Sequence, residues 1–258
     1  MPDVAGFNAW HGDVAKSPAC NRIFQQALGL LPEVVSNSLL TWAGLAEVAA
    51  ALRLTPGQLL VDLACGRGGY GREVARRTGA RLLGLDCSVV AVAIAARGGQ
   101  CGHASFCVAD FTALGLRDHS AHAIMCVDAI QFSDPPLAAL RECRRILADG
   151  GRLAVTAWEP VGPVDERLPE RTRRMNLARD LADAGFEQIE VTGKPDWHSA
   201  ERRLWESAVQ ADANDDPALV SLQREGTRAL ETFDVKRRVF ATATAPASGR
   251  RWKHNHAS

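Results

Sequence analysis

Apolar residues recur at two spacings along the chain, and the change between them predicts where helices give way to strands. Between about residues 17 and 54 they fall three or four positions apart, which is the spacing of amphipathic helices. Thr55-Pro56-Gly57 then breaks the pattern, and an apolar run follows at residues 59–63, which is typical of a buried parallel strand. We therefore expect an N-terminal helical lid over residues 1–55 and a main domain from residue 56 onwards.

The alternation of short apolar runs with helical segments continues through the main domain. Further strands are expected at residues 81–85, 105–109, 123–127, 151–157, 186–191 and 238–243, with helices at residues 71–78, 89–97, 135–147 and 177–184. Strands that alternate with helices predict a parallel sheet joined by right-handed crossovers. The predicted fold class is α/β, with a seven-stranded, mostly parallel sheet and helices on both faces.

Two segments lie outside this alternation. Residues about 196–234 are charged and helical, and we predict a helical insertion there, before the last strand of a main domain that spans residues 56–244. The final segment, residues 245–258, is polar and basic, and we expect it to be a disordered tail.

Composition excludes several classes of function. Basic and acidic residues number 30 each, so there is no net charge to attract nucleic acid. The seven cysteines contain no C-x-x-C pair, so we expect reduced core cysteines and no metal site. The first residues lack a basic segment followed by an apolar run, and no stretch reaches the ~18 apolar residues of a membrane span. The sequence predicts a cytoplasmic protein without nucleic-acid or membrane partners.

A glycine-rich turn follows the first predicted strand. Gly66, Gly68 and Gly71 satisfy the pattern G-x-G-x-x-G, and Asp86 stands about twenty residues later at the end of the next strand. Glycines at a strand-to-helix turn let a ligand lie against bare backbone at a helix N-terminus. Because this is also the dinucleotide fingerprint, the turn alone is compatible with more than one cofactor.

The acidic residues around the turn favour a cationic cofactor. Asp62, inside the first strand, would repel a pyrophosphate but attract a ligand that carries an ammonium and a sulfonium group. Asp86 is placed to accept hydrogen bonds from both ribose hydroxyls, and Asp110, after the third strand, from an adenine amino group. This charge pattern indicates S-adenosylmethionine.

Several segments between about residues 59 and 191 resemble class I, Rossmann-like S-adenosylmethionine-dependent methyltransferases. They are Val61-Asp62-Leu63-Ala64-Cys65-Gly66-Arg67-Gly68-Gly69, Leu85-Asp86-Cys87-Ser88, Ala109-Asp110-Phe111, Val127-Asp128-Ala129-Ile130-Gln131-Phe132 and Leu181-Ala182-Asp183-Ala184-Gly185-Phe186. The resemblance implies a Rossmann-like fold and S-adenosyl-L-methionine as cofactor, with S-adenosyl-L-homocysteine as product.

The resemblance and the turn together predict the cofactor site. Its residues are Asp62, Ala64, Cys65, Gly66, Gly68, Asp86, Cys87, Asp110, Phe111 and Asp128. The resemblance implies that backbone at residues 64–66 holds the methionine part and that Asp86 holds the ribose. It also implies that Asp110 and Phe111 bind the adenine, and that Asp128, at the end of the fourth strand, faces the methionine amino end.

Three residues are candidates for a direct role in catalysis. Gln131 stands where many relatives carry a histidine, His11 lies in the lid, and His198 follows the sixth strand. Either histidine would suit proton abstraction from an acceptor, and for His11 a solvent-facing histidine is the simpler alternative. Methyl transfer is an in-line displacement, so orientation and desolvation can suffice without a base.

The predicted function is methyl transfer to a small, apolar or aromatic metabolite, such as a natural-product intermediate. Tryptophans near the predicted carboxyl ends of the strands suit such an acceptor: Trp10, Trp42, Trp158 and Trp197. An NAD-dependent oxidoreductase and an S-adenosylmethionine-binding relative that does not methylate are the alternatives. The sequence leaves open a homodimer, the acceptor and whether O, N or C is methylated.

Overall fold

The computed structural model of the protein describes residues 4–98, 103–162 and 165–247. Most of the predicted tail at residues 245–258 lies outside the described residues. The strands are β1 (Leu59–Leu63), β2 (Arg81–Asp86), β3 (Ala104–Val108), β4 (Ala121–Val127), β5 (Leu147–Pro160), β6 (Glu187–Gly193) and β7 (Lys236–Thr244). The helices are α1 (Val4–Lys16), α2 (Pro18–Leu28), α3 (Trp42–Leu52), α4 (Gly69–Thr78), α5 (Val89–Arg97), α6 (Pro136–Ile146), α7 (Glu170–Arg173), α8 (Leu177–Asp183), α9 (Pro195–Gln210) and α10 (Pro217–Glu231).

The seven strands form one sheet in the order β3-β2-β1-β4-β5-β7-β6. Strands β1 to β5 pair in parallel, and β7 runs antiparallel to both β5 and β6. The predicted α/β fold is confirmed. Because the chain order reverses between β1 and β4, the carboxyl ends of these strands border a crevice, which is where ligands bind in open α/β sheets.

The sheet is buried on both faces, as the apolar strands predict. Successive side chains of β1 point to opposite faces, so Leu60 and Leu63 enter different cores. Leu60 shares one core with Leu204 of α9, and Leu63 shares the other with Leu140 of α6. Helices therefore cover both faces.

Strand β5 is longer than the predicted residues 151–157. Its partner β7 pairs with it continuously from Arg152 to Pro160, which extends the strand beyond its apolar run. This extension carries Trp158 and Glu159 past the end of the neighbouring strand β4. Backbone pairing to a distant strand sets this boundary, which local sequence does not encode.

The N-terminal helices pack beside the two helices that separate β6 from β7. Ser17 caps α2 by accepting from the N–H of Cys20 at 3.0 Å, and its hydroxyl donates to Asp216, the N-cap of α10, at 2.5 Å. Asp216 in turn accepts from the first N–H groups of α10. One polar contact thus fastens the start of α2 to the start of α10.

Candidate functional site

A cavity of about 730 Å³ lies at the carboxyl ends of β1 to β4. Its walls come from the turn after β1, the ends of β2 and β3, the segment after β4, helix α1, and helices α9 and α10. Ten predicted site residues line it: His11, Ala64, Cys65, Gly66, Asp86, Cys87, Asp110, Phe111, Asp128 and Gln131. A volume of this size suits a small-molecule site.

The turn after β1 adopts a backbone conformation that requires glycine. Gly66 and Gly68 have φ of +52° and +78°, which side chains with a Cβ rarely adopt. A Cβ at Gly68 would also lie 2.7 Å from the ring of Phe106, whereas a Cβ at Gly66 would approach the ring of His11 at 3.4 Å. Gly68 therefore serves packing below the turn, and Gly66 leaves backbone open at the cavity.

Asp86 fixes this turn from the neighbouring strand. Its Oδ2 accepts from the N–H of Gly66 and its Oδ1 from the N–H of Ser88, both at 2.8 Å. The side chain is 6% exposed and lines the cavity. A carboxylate oxygen has more than one lone pair, so Asp86 can accept further hydrogen bonds from a ligand.

The end of β3 adds a second carboxylate and an aromatic ring. Oδ1 of Asp110 accepts from the N–H and the hydroxyl of Thr112, at 2.7 and 2.6 Å. These hydrogen bonds lower the pKa of Asp110, which keeps the carboxylate ionised. Asp110 is exposed and Phe111 is half-buried, and both line the cavity.

Asp128 lines the cavity, but its carboxylate is bound to other parts of the protein. Oδ2 accepts from the N–H of Leu39 at 2.7 Å. Oδ1 accepts from the hydroxyl of Thr156 at 2.6 Å and from the buried guanidinium of Arg238 at 2.7 Å. Both oxygens of the Asp128 carboxylate therefore accept hydrogen bonds from the protein itself, whereas the resemblance implies that Asp128 faces the methionine amino end of the cofactor.

Asp62 and Gly68 are not among the residues that line the cavity. Asp62 lies behind the turn, 3% exposed, where a Cβ on Gly71 would stand 2.5 Å from its Oδ2. Burial, with a smaller contribution from the charge of Asp86, raises the pKa of Asp62 to about 8. The structure does not support the expectation that Asp62 presents a fixed negative charge directly to the ligand.

His11 is brought to the cavity by α1, and it is buried instead of solvent-facing. The side-chain nitrogen of Asn37 lies 3.1 Å from its Nδ1, and because an amide nitrogen only donates, Nδ1 is the acceptor. The proton of the neutral ring then sits on Nε2. Burial lowers the pKa of His11, which favours this neutral ring. In this tautomer His11 offers a hydrogen-bond donor rather than a base.

Gln131 lies in the 3-10 turn that follows β4, residues Ile130–Phe132, and lines the cavity. Its side-chain nitrogen donates to the carbonyl of Asp128 at 2.7 Å, and within the described residues its Oε1 is buried without a hydrogen-bond partner. An unpaired buried acceptor is costly, so Oε1 is available to a donor on a ligand.

His198 is not placed at the cavity. Its ring stacks on Phe233 with centroids 3.8 Å apart and 4° between the planes. Burial lowers its pKa. The structure does not bring His198 to the cavity lining, because α9 directs this side chain against the segment that precedes β7.

The half of the cavity away from the glycine turn contains an aromatic chamber that sequence reasoning identified only in part. Trp158 and Trp205 both donate their indole N–H to the carboxylate of Glu201, at 2.8 and 3.1 Å. Of the four tryptophans expected near the strand ends, Trp10 and Trp158 line the cavity and the other two do not. The i,i+4 spacing of Glu201 and Trp205 on a helix was the signal available in the sequence.

Neither a metal centre nor a membrane span is found in the described part of the chain. No group of three or more His, Cys, Asp or Glu there could hold a metal ion. No helix there is long and apolar enough to cross a membrane.

A family model described as "Methyltransferase domain" matches residues 61–155, which run from β1 through most of β5. The match covers the glycine turn and the ends of β2, β3 and β4. Residues 61–155 are therefore similar to a methyltransferase domain. The matched segment contributes Gly66, Asp86 and Asp110 to the lining of the cavity.

Curated relatives and solved structures agree with this family. A sterol 24-C-methyltransferase of Aspergillus fumigatus is 28% identical over 56% of this chain and 39% of its own length. Squalene methyltransferase 1 of Botryococcus braunii is 26% identical over 80% of this chain and 47% of its own. The chain spans less than half the length of these relatives.

Two solved structures share the fold of the methyltransferase domain and its flanking helices. The [4+2]-cyclase SpnF matches with a TM-score of 0.74 and 21% identity, over 96% of this chain and 97% of that one. Phosphoethanolamine N-methyltransferase 2 of Haemonchus contortus matches with a TM-score of 0.73 and 18% identity, over 93% and 60%. At these identities the likeness concerns the fold alone.

Proposed function

We propose that the chain is an S-adenosylmethionine-dependent methyltransferase that acts on a small, largely apolar acceptor. The observation that carries this proposal is a single cavity with two unlike halves. One half is formed by the glycine turn and the ends of β2 and β3, and the other by Trp158, Trp205 and the helices around them.

The first half fits the cofactor. Gly66 leaves its backbone open to the cavity. A Cβ at this position would have the ring of His11, at 3.4 Å, as its nearest neighbour. Asp86 would accept from the ribose hydroxyls, Phe111 would lie against the adenine, and Asp110 would accept from its amino group. The unpaired Oε1 of Gln131 would accept from a donor near the reacting end.

When bound, the cofactor supplies an electrophilic methyl group on a sulfonium. The residues of the chain then have to align an acceptor with that methyl group and exclude water. Trp10 and His11 of α1 close one side of the cavity, and α1 is held to the start of α5 where the hydroxyl of Ser88 donates to Asn8 at 2.7 Å. The structure provides positioning, while His11 in its observed hydrogen bonding does not provide a base.

The relatives narrow the acceptor class. The sterol and squalene methyltransferases are named for large apolar acceptors, and the aromatic chamber suits an apolar body. The match to a methyltransferase domain favours this function over an NAD-dependent oxidoreductase. A cytoplasmic setting, a natural-product pathway and a homodimer stay predictions from the sequence.

The test is transfer of a labelled methyl group. The purified protein is incubated with methyl-labelled S-adenosylmethionine and pools of terpenoid, sterol and phenolic acceptors, and the Asp86→Ala variant serves as the control. We expect label in an organic product only with the unaltered protein. Cofactor binding without transfer to any pool would instead support a different role, such as the cyclase activity for which SpnF is named.

A further inference from the structure

The chamber half of the cavity carries three cations, of which only Lys236 makes an ion pair with a described carboxylate. Arg171 packs its guanidinium over Phe132 at 5.1 Å, and Arg228 donates to the carbonyl of Arg224 at 3.2 Å. Lys236 has its nearest carboxylate, Glu201, at 3.7 Å. All three cations line the same cavity.

Glu201 does not neutralise Lys236 by itself. Its carboxylate is 1% exposed, accepts from two indole N–H groups and lies 3.5 Å from the buried guanidinium of Arg238. It is therefore shared between two cations and two neutral donors. The ammonium of Lys236 has three N–H donors, so most of its hydrogen-bonding capacity is not used by Glu201.

Glu225 is the carboxyl group in the chamber that is best placed to act as a counter-ion to these cations. Arg228, Arg171 and Lys236 all act on it electrostatically, yet no hydrogen bond or ion pair joins it to any residue the structure describes. Burial raises the pKa of Glu225, which favours its neutral form. Because Glu225 makes no ion pair with them, the three cations keep their charge available to a ligand.

The other charged side chains of the lining do not supply the missing anion. Arg167 pairs with Asp165 at 2.5 Å, and Asp134 lies 3.8 Å from Arg174. Glu231 is exposed at the end of α10. Arg171 and Arg228 are exposed and Lys236 is half-buried, so three positive charges meet in the lining of one cavity and favour a ligand that brings negative charge.

Building on the proposed function, we propose that the acceptor carries an anionic end group, a carboxylate or a phosphate, that binds Lys236 with Arg171 and Arg228. Its apolar body lies along Trp158 and Trp205, and its reacting atom faces the glycine turn. Charge-assisted hydrogen bonds fix the end group, so the cations select the acceptor and set its direction in the cavity. Lys236 is a specificity-determining residue in this arrangement.

The experiment compares four eight-carbon probes that differ in their end groups. Octanoate, octanol and octylammonium are titrated calorimetrically into protein saturated with S-adenosylhomocysteine, and octyl phosphate tests the second anionic source. We expect the anionic probes to bind about tenfold or more tightly than octanol, and octylammonium to bind weakest. Octanol or octylammonium binding as tightly as octanoate, or no binding of octanoate, would overturn the proposal.

Variants assign the preference to the chamber. Lys236→Met should reduce octanoate binding to the level of octanol, whereas Lys236→Arg should keep it within about threefold, because the charge is retained. Arg224→Met is the control, since it removes a cation of α10, the helix that carries Arg228, at a position that does not line the cavity. An equal loss in Arg224→Met, or an unchanged preference in Lys236→Met, would contradict the assignment.

These outcomes are separable from those of the proposed function. S-Adenosylhomocysteine binding is measured first in every variant, and it depends on the glycine turn rather than on the chamber. Absence of S-adenosylhomocysteine binding in the unaltered protein would contradict the proposed function. Retained binding without a preference for the anionic probes would contradict only the acceptor class.

Discussion

The Asp86→Asn substitution tests how the turn after β1 is held. Both carboxylate oxygens accept from backbone N–H groups, of Gly66 and Ser88, at 2.8 Å in a nearly buried position. An asparagine has one oxygen, so its amide nitrogen would face one of these N–H donors. Losing one charge-assisted hydrogen bond and leaving a buried donor unpaired should lower the free energy of unfolding by about 2–4 kcal/mol.

Asp110→Asn is the matched control for this change. Asp110 ends the neighbouring strand, but both of its contacts with Thr112 are made by a single oxygen, which an asparagine can keep. Because the side chain is also exposed, we expect a loss of no more than about 0.5 kcal/mol. Urea unfolding followed by tryptophan fluorescence measures both variants.

Affinity for the cofactor gives the second readout for Asp86→Asn. The Kd for S-adenosylhomocysteine should rise about tenfold or more, because the ribose contacts weaken and the N–H of Gly66 loses its anchor. The reasoning is refuted if Asp86→Asn unfolds within about 0.5 kcal/mol of the control and binds within about threefold of the unaltered protein.

Three further substitutions test the buried groups around the cavity. The pKa of Asp62 is raised to about 8 from about 3.9 when unfolded, so its contribution to stability is full below about pH 4 and disappears by about pH 8. Asp62→Asn should therefore lose less stability than the unaltered protein between about pH 5 and pH 8 in urea unfolding, and equal slopes would contradict the raised pKa. Gly71→Ala places a Cβ 2.5 Å from Oδ2 of Asp62 and should lower the free energy of unfolding by about 1–3 kcal/mol; an unchanged melting temperature would rule out that contact. Glu201→Gln offers one carbonyl to the two indole N–H groups of Trp158 and Trp205, so unfolding should become easier by about 2–4 kcal/mol while S-adenosylhomocysteine binds as before, and a neutral effect on unfolding would count against the buried network.

The fold followed from sequence because its signals are local. Apolar runs and helical spacing predicted β1 at residues 59–63 and α5 at residues 89–97, the bounds that the structure shows. Parallel strands place their carboxyl ends at one edge, so the convergence of the turn, Asp86 and Asp110 could also be foreseen.

The remainder of the site depends on partners distant in the chain. Asp128 and Arg238 are separated by 110 positions, and nothing local indicates that this guanidinium engages the carboxylate. The position of His198 also depends on tertiary packing, because its stacking on Phe233 is set by how α9 packs against the segment before β7. Lys236 is the first residue of β7, and the local sequence indicates only a charged residue at the end of a strand. The fold nevertheless places it in the lining of the chamber. Such pairings are set by tertiary packing, which composition and periodicity do not encode.

Calorimetric titration of the purified protein with S-adenosylmethionine, S-adenosylhomocysteine and NADH tests the central claim most directly. The glycine turn with Asp86 and Asp110 predicts binding of the first two in the micromolar range and no heat from NADH. Binding of NADH alone would contradict both the cofactor assignment and the proposed methyltransferase function.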